Sequence, residues 1–157
     1  MKVLAIDPGY GRCGMAVVEK TGRSREVLLY SDCVETSSSS EFPSRLAEVT
    51  NECARLIALY APDCMVLEKL FFQKNQKTAM KVAEVRGALM QLAAQNGLPV
   101  AEYTPGEVKS AAAGSGSADK QAVAKMLHTL IKIEKFIKHD DEYDAIAIGV
   151  THLARAR

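Results

Sequence analysis

The apolar run Val3-Leu4-Ala5-Ile6 stops at Asp7, and the next apolar run opens at Cys13. The gap is too short for a parallel crossover, which needs about a dozen residues or more. It is filled by the turn-forming sequence Pro8-Gly9-Tyr10-Gly11, and Thr21-Gly22-Arg23 supplies a second turn before Val27 to Val34. Residues 2–7, 13–18 and 27–34 are therefore expected to form an antiparallel meander.

The remainder alternates helix and strand. After the polar loop Ser37 to Ser40, Pro43 opens a helix in which Leu46, Val49, Cys53, Leu56, Ile57 and Tyr60 share one face. Ala61-Pro62-Asp63 ends it, and Cys64-Met65-Val66-Leu67 forms a short buried strand that again ends on an acid, Glu68. A long helix is expected from Asn75 to Gln95, stopping at Asn96-Gly97, then a strand over Pro99 to Tyr103. Thr104-Pro105-Gly106-Glu107 is a capping box with proline at the first helical position. Ser117 is expected to cap the next helix, which carries Val123, Met126, Leu127 and Leu130. His139 or Asp140 opens the last helix, which runs toward Arg155. Three antiparallel strands followed by alternating helices and strands make a mixed α/β sheet flanked by helices, in a single domain over residues 1–157.

Composition excludes several classes. Hydrophobic residues at 48% and charged residues at 25% describe a soluble globule, and +1 net charge points to no particular partner. No apolar run is long enough to span a membrane. Asp7 arrives too early for a signal peptide, so a cytoplasmic location without membrane contact is expected. Cys13, Cys33, Cys53 and Cys64 show no zinc spacing and are expected to be reduced.

Two strands thus end in carboxylates, Asp7 and Glu68, at the strand ends where sites of open α/β sheets lie. A third acidic group, Asp140-Asp141-Glu142-Tyr143-Asp144, begins a helix so apolar that its first turn is pressed inward, with Asp141 and Asp144 on one face. Asp140 and Glu142 read as solvated acids favoured by the helix dipole. Asp7, Glu68, Asp141 and Asp144 together do not, because converging carboxylates repel. Hard divalent cations relieve that repulsion, and two-metal phosphoryl transfer is the chemistry that uses such a cluster.

Gly9-x-Gly11-x-x-Gly14 matches a dinucleotide fingerprint, but a strand follows it where a helix is required. The glycines are read as hairpin residues that leave the metal edge open to a bulky substrate. Gly114 to Lys120 lacks the ending of a P-loop. Lys69, Lys74, Lys77, Lys81, Arg86, Lys109, Lys120, Lys125, Lys132, Lys135 and Lys138 flank the acids in sequence, as a site that cuts nucleic acid requires. Among them Lys77, Lys81, Lys125 and Lys132 read as ordinary surface lysines. Leu70-Phe71-Phe72 sits in a polar stretch of a chain with only 6% aromatics; one ring is assigned to the core and one to base stacking.

Ala5-Ile6-Asp7-Pro8-Gly9, Leu67-Glu68-Lys69-Leu70-Phe71-Phe72-Gln73-Lys74-Asn75, Val108-Lys109, Gly114 to Lys120, and Asp141-Glu142-Tyr143-Asp144-Ala145-Ile146-Ala147-Ile148 together resemble RuvC-type Holliday junction resolvases. The resemblance runs from about residue 2 to His152. It implies a ribonuclease H-like five-stranded mixed sheet and a homodimer. The implied activity is cutting four-way DNA junctions with Mg²⁺, or Mn²⁺ in its place, at two ions per site, in recombination and repair. Two strands of like polarity would be nicked symmetrically to leave 5′-phosphates, alongside a branch-migration motor complex. Asp7, Glu68, Asp141 and Asp144 become the catalytic metal ligands, with His139 and Asp140 as alternatives to Asp141. Phe71 becomes the stacking aromatic, Lys109 and Lys120 phosphate contacts, and Lys74 a further DNA contact. The serines at 37–40 and the Lys132–Lys138 stretch receive no role. The helix over 75–95 has apolar residues around too much of its circumference for one buried face, which suits either a dimer contact or deep burial. The competing functions are an actin-like ATPase, for which one domain is too little chain, and an inactive ribonuclease H-like module that binds branched nucleic acid.

Overall fold

The computed structural model describes residues 1–22, 25–70 and 76–156, without the side chains of Gln76 and Lys77. Along the chain run β1 (Lys2–Asp7), β2 (Arg12–Glu19), β3 (Val27–Glu35), α1 (Phe42–Tyr60), β4 (Cys64–Glu68), α2 (Gln76–Gln95), β5 (Val100–Tyr103), α3 (Pro105–Ala113), α4 (Lys120–Leu130) and α5 (Asp140–Arg155). The sheet order is β3-β2-β1-β4-β5, with β1–β2 and β2–β3 antiparallel and β1–β4 and β4–β5 parallel. The expected meander and mixed sheet are both present.

Alternation along the strands divides the core in two. Val3, Ala5, Ala16, Val18 and Val66 face α3, α4 and α5, while Leu4, Ile6, Met15, Val17, Met65 and Leu67 face α1 and α2. Central strands covered on both faces must be apolar throughout. Burying each large aliphatic side chain contributes about 1.5–3 kcal/mol.

The same alternation aims the acids. Asp7 follows Ala5 and Glu68 follows Val66 at two-residue spacing, so both belong to the face covered by α5. Ile6 is in register with Leu67, which sets Asp7 beside Glu68 at the carboxyl edge of the parallel pair.

Helix α5 lies against this edge because two glycines permit it. A Cβ on Gly14 would stand 1.8 Å from the Asp141 carbonyl oxygen, and one on Gly149 would stand 2.7 Å from Val18 Cγ2. Gly14 is the β2 partner of Asp7. It therefore serves the approach of the acidic helix and not the hairpin, as the sequence suggested. Gly9 does belong to the turn, where a Cβ would meet the Arg12 carbonyl oxygen at 2.0 Å.

Two further expectations are corrected, and one alternative left open for α2 is narrowed. Asp119, not Ser117, caps α4, its carboxylate accepting from the Ala122 N–H at 2.8 Å, while Ser117 bonds Ser115. Glu142 is buried, not solvated. It accepts from Ser31 Oγ at 2.6 Å and pairs with Lys135 at 2.8 Å, because its helix position lines up with the inward-facing Ala145, Ile146 and Gly149. Lys135 also donates to the Ser31 carbonyl at 2.6 Å, so a stretch that had no role ties β3 to α5. Finally, α2 is not buried all round. Val85, Leu89 and Ala93 face the core, whereas Met80 is 65% exposed and Ala83, Gly87 and Ala94 are exposed with it. The cysteines are all free, as expected.

Gly14→Ala should be the most damaging single-methyl change in the sheet. Its Cβ meets backbone, so it should cost at least the ~1–3 kcal/mol typical of overpacking. Gly149→Ala meets side chains that can shift and should cost less. Thermal melts of the two variants check the order; equal melts would mean that α5 is free to move outward.

Candidate metal and nucleic-acid site

Four carboxylates from three elements meet at the edge just described: Asp7 from β1, Glu68 from β4, and Asp141 and Asp144 from α5. Their electrostatics show the proximity. Burial, reinforced by the charges of Glu68, Asp144 and Asp141, pushes the Asp7 carboxyl well above the usual range. Burial and Asp144 raise Glu68 to about 7, against the opposing pull of Lys109, Lys120 and Arg86. Asp144 is raised by burial and by Asp141 and Asp140, with Lys120 opposing. Three acids that resist ionisation side by side are poised for a cation to reverse the balance.

Protein cations answer part of that demand. Lys120 Nζ lies 3.1 Å from Asp140 and 3.7 Å from Asp144. Burial opposes its charge, but the hydrogen bond to Asp140 and the surrounding carboxylates hold its pKa above the ordinary value. Arg12 Nε lies 3.3 Å from Asp141 Oδ2. That oxygen is buried and, among the described residues, accepts no hydrogen bond. Among the described residues, no group of three or more His, Cys, Asp or Glu side chains stands ready-made to hold a metal ion. The donor set nevertheless fits a hard divalent ion in chemistry and charge: all oxygen, mutually repelling, with one buried oxygen lacking a donor.

The alternatives to Asp141 point elsewhere. Asp140 is exposed and engaged with Lys120, and His139 donates from Nε2 to Glu35 at 2.7 Å. A cleft of about 200 Å³ leads to the acids, lined by Glu68, Pro105, Lys109, Lys120 and Asp144. A larger hollow, about 690 Å³, lies between β3 and α1 and is lined by none of the predicted site residues. Lys109 and Lys120 thus reach the acidic edge from α3 and α4. Phe71, Phe72 and Lys74 lie outside the described residues.

Sequence reasoning missed two site residues. Arg12 opens β2 inside the Gly9-x-Gly11-x-x-Gly14 stretch, which was read only for its glycines. Arg86 was counted only among the flanking basic residues, yet it is buried on α2 and hydrogen-bonds both the Glu68 carbonyl and the Glu102 carboxylate. Its place between Val85 and Leu89, on the inward stripe of α2, was the available signal.

A carboxyl whose pKa is higher in the folded than in the unfolded chain favours folding at low pH, and that contribution is lost as pH rises through the folded value. Asp7, Glu68 and Asp144 all have this sign, with Glu68 at about 7. Asp7→Asn should therefore melt above the wild type by a margin that widens from about pH 5 to about pH 8 in EDTA. Each ~1 kcal/mol of relieved repulsion is worth about 2–4 °C in a domain of this size. A margin that is flat or narrows with pH would show that Asp7 does not carry this strain.

Comparison with known proteins shows the family. The family model described as "Crossover junction endodeoxyribonuclease RuvC" matches residues 3–152. A protein of that name from Moorella thermoacetica is 42% identical over 156 residues, covering 99% of this chain and 93% of that protein. One from Caldicellulosiruptor saccharolyticus is 40% identical over 154 residues, covering 98% and 92%. The structure titled "T. thermophilus RuvC in complex with Holliday junction substrate" superposes with a TM-score of 0.92 at 32% identity, covering 100% of this chain and 95% of that one. A yeast mitochondrial Holliday junction resolvase shares the fold at 16% identity and a TM-score of 0.70, covering 95% of this chain and 76% of that one. With a family model spanning nearly its whole length and relatives this similar, the chain belongs to the RuvC family of crossover junction endodeoxyribonucleases.

Proposed function

We propose that this chain resolves four-way DNA junctions by Mg²⁺-dependent hydrolysis of two strands of like polarity, with Asp7, Glu68, Asp141 and Asp144 holding the ions. The observation that carries the reading is the set of carboxylates raised by burial and by one another at the carboxyl edge of β1 and β4. Divalent ions bound there supply activation of water and charge neutralisation for an in-line displacement at phosphorus. The chain's own part is geometric. The parallel pair fixes Asp7 beside Glu68, and Gly14 brings the first turn of α5 down to them. Lys109 and Lys120 line the cleft and meet the phosphates of the bound strand. Phe71 and Lys74, just beyond Glu68 in sequence, complete the DNA surface by stacking and by charge.

The exposed side of α2 supports a homodimer. Met80, Ala83, Gly87 and Ala94 form a shallow stripe of small and flexible side chains, suited to close approach of a second copy of α2. Two sites related by a twofold axis suit a symmetric substrate. A branch-migration motor that presents the junction is the partner the family resemblance implies. Action on DNA beside such a motor would place the protein in the cytoplasm; among the described residues no helix is long and apolar enough to cross a membrane.

Asp7→Asn should abolish nicking of a synthetic junction while leaving binding within a few-fold, since affinity rests on the lysines. Lys109→Ala and Lys120→Ala should each flatten the plot of log affinity against log salt by about one unit. Band-shift and nicking assays on the same junction check both. Near wild-type cutting by Asp7→Asn would overturn the site, and unchanged slopes would return the lysines to the plain surface.

A further inference from the structure

Arg12 opens β2, two residues before Gly14, the partner of Asp7. It therefore stands at the rim of the acidic edge, and its side chain is 54% exposed. Its Nε is 3.3 Å from Asp141 Oδ2, yet among the described residues that buried oxygen accepts no hydrogen bond. The guanidinium covers the carboxylate without being locked onto it. Among the described residues its side chain has one hydrogen-bond contact, Nη1 to His139 Nδ1 at 3.3 Å. His139 is in turn held by Glu35 through Nε2 at 2.7 Å, and Glu35 also takes Lys138 at 3.1 Å. Arg12 thus has a loose, single-point tether and most of its five donors to spare.

A cation in this position conflicts with a divalent ion bound by Asp141, because both claim the same oxygen and repel each other. Once Asp141 is engaged, the guanidinium has lost its counter-ion and stands at the mouth of a site that receives phosphates. Its planar fork suits a phosphate better than a lysine does.

We propose that Arg12 is an exchangeable counter-ion: it neutralises Asp141 until a divalent cation displaces it, and then contacts a phosphate of the DNA strand. The proposal rests on the junction-cutting reading above and adds to it a residue that couples ion binding to DNA binding. Lys120 differs, since Asp140 retains it whether or not Asp144 is engaged.

The test uses the full chain with Arg12→Gln and Arg12→Lys. Mn²⁺ binding without DNA is followed by calorimetry. Removing an exposed competing charge should tighten it about two- to five-fold in Arg12→Gln, with Arg12→Lys close to wild type. Junction affinity is then measured against salt, once in Ca²⁺ and once in EDTA. In Ca²⁺ the Arg12→Gln slope should fall about one unit below wild type, and in EDTA the two should coincide. Unchanged or weaker Mn²⁺ binding in Arg12→Gln overturns the counter-ion role. Equal slopes in Ca²⁺, or an equal gap in both conditions, overturns the exchange. If the wild type itself binds neither Mn²⁺ nor the junction, the parent reading has failed instead.

Discussion

The contact between the Gly14 backbone and the Asp141 carbonyl decides what this molecule can be. A single methyl group at position 14 would meet that oxygen at 1.8 Å, so only glycine lets the first turn of α5 rest on β2. Since Gly14 is also the partner of Asp7, the contact converts strand register into chemistry. It sets two acids of a helix beside two acids of a parallel strand pair. The raised carboxyls of Asp7, Glu68 and Asp144 follow directly, through burial first and mutual repulsion second.

Such a cluster destabilises the fold that builds it, and the surrounding structure shows what offsets it. Glu142, one residue from Asp141, is anchored inward by Ser31 and Lys135. His139, at the helix entry, is held to Glu35. These ties pin the start of α5 to the edge strand β3 from the side away from the acids. On the opposite flank, Arg86 reaches from α2 to the Glu68 carbonyl and to Glu102. The helix whose exposed stripe suits a second copy therefore also braces Glu68, so in the proposed function a dimer contact and the site geometry would share one element.

Much of this was readable from local pattern. Strand order near the N-terminus followed from gaps too short for a crossover. The acids ending β1 and β4 followed from apolar runs with abrupt ends, and α3 from its capping box. Close approach is different, because a glycine required by a partner 127 residues away carries no local mark: Gly14 looked like part of a turn motif, and its true neighbour is Asp141. Glu142 was misplaced because helix-dipole logic was allowed to outweigh the periodicity that aligns it with Ala145, Ile146 and Gly149. Ser117 lost the cap to Asp119 because several capping residues in a row leave the helix start ambiguous by two positions. Arg12 and its contact with Asp141 join distant segments, and such pairings appear only once the sheet and α5 are assembled.

The central claim is that Asp7, Glu68, Asp141 and Asp144 are brought together to hold divalent ions. Anomalous diffraction from a crystal soaked in Mn²⁺ tests it most directly. The account predicts anomalous density within ligating distance of Asp7 and at least one acid of α5, with Arg12 swung away from Asp141 Oδ2. Density confined to exposed acids such as Asp140, with none within ligating distance of Asp7, would contradict it.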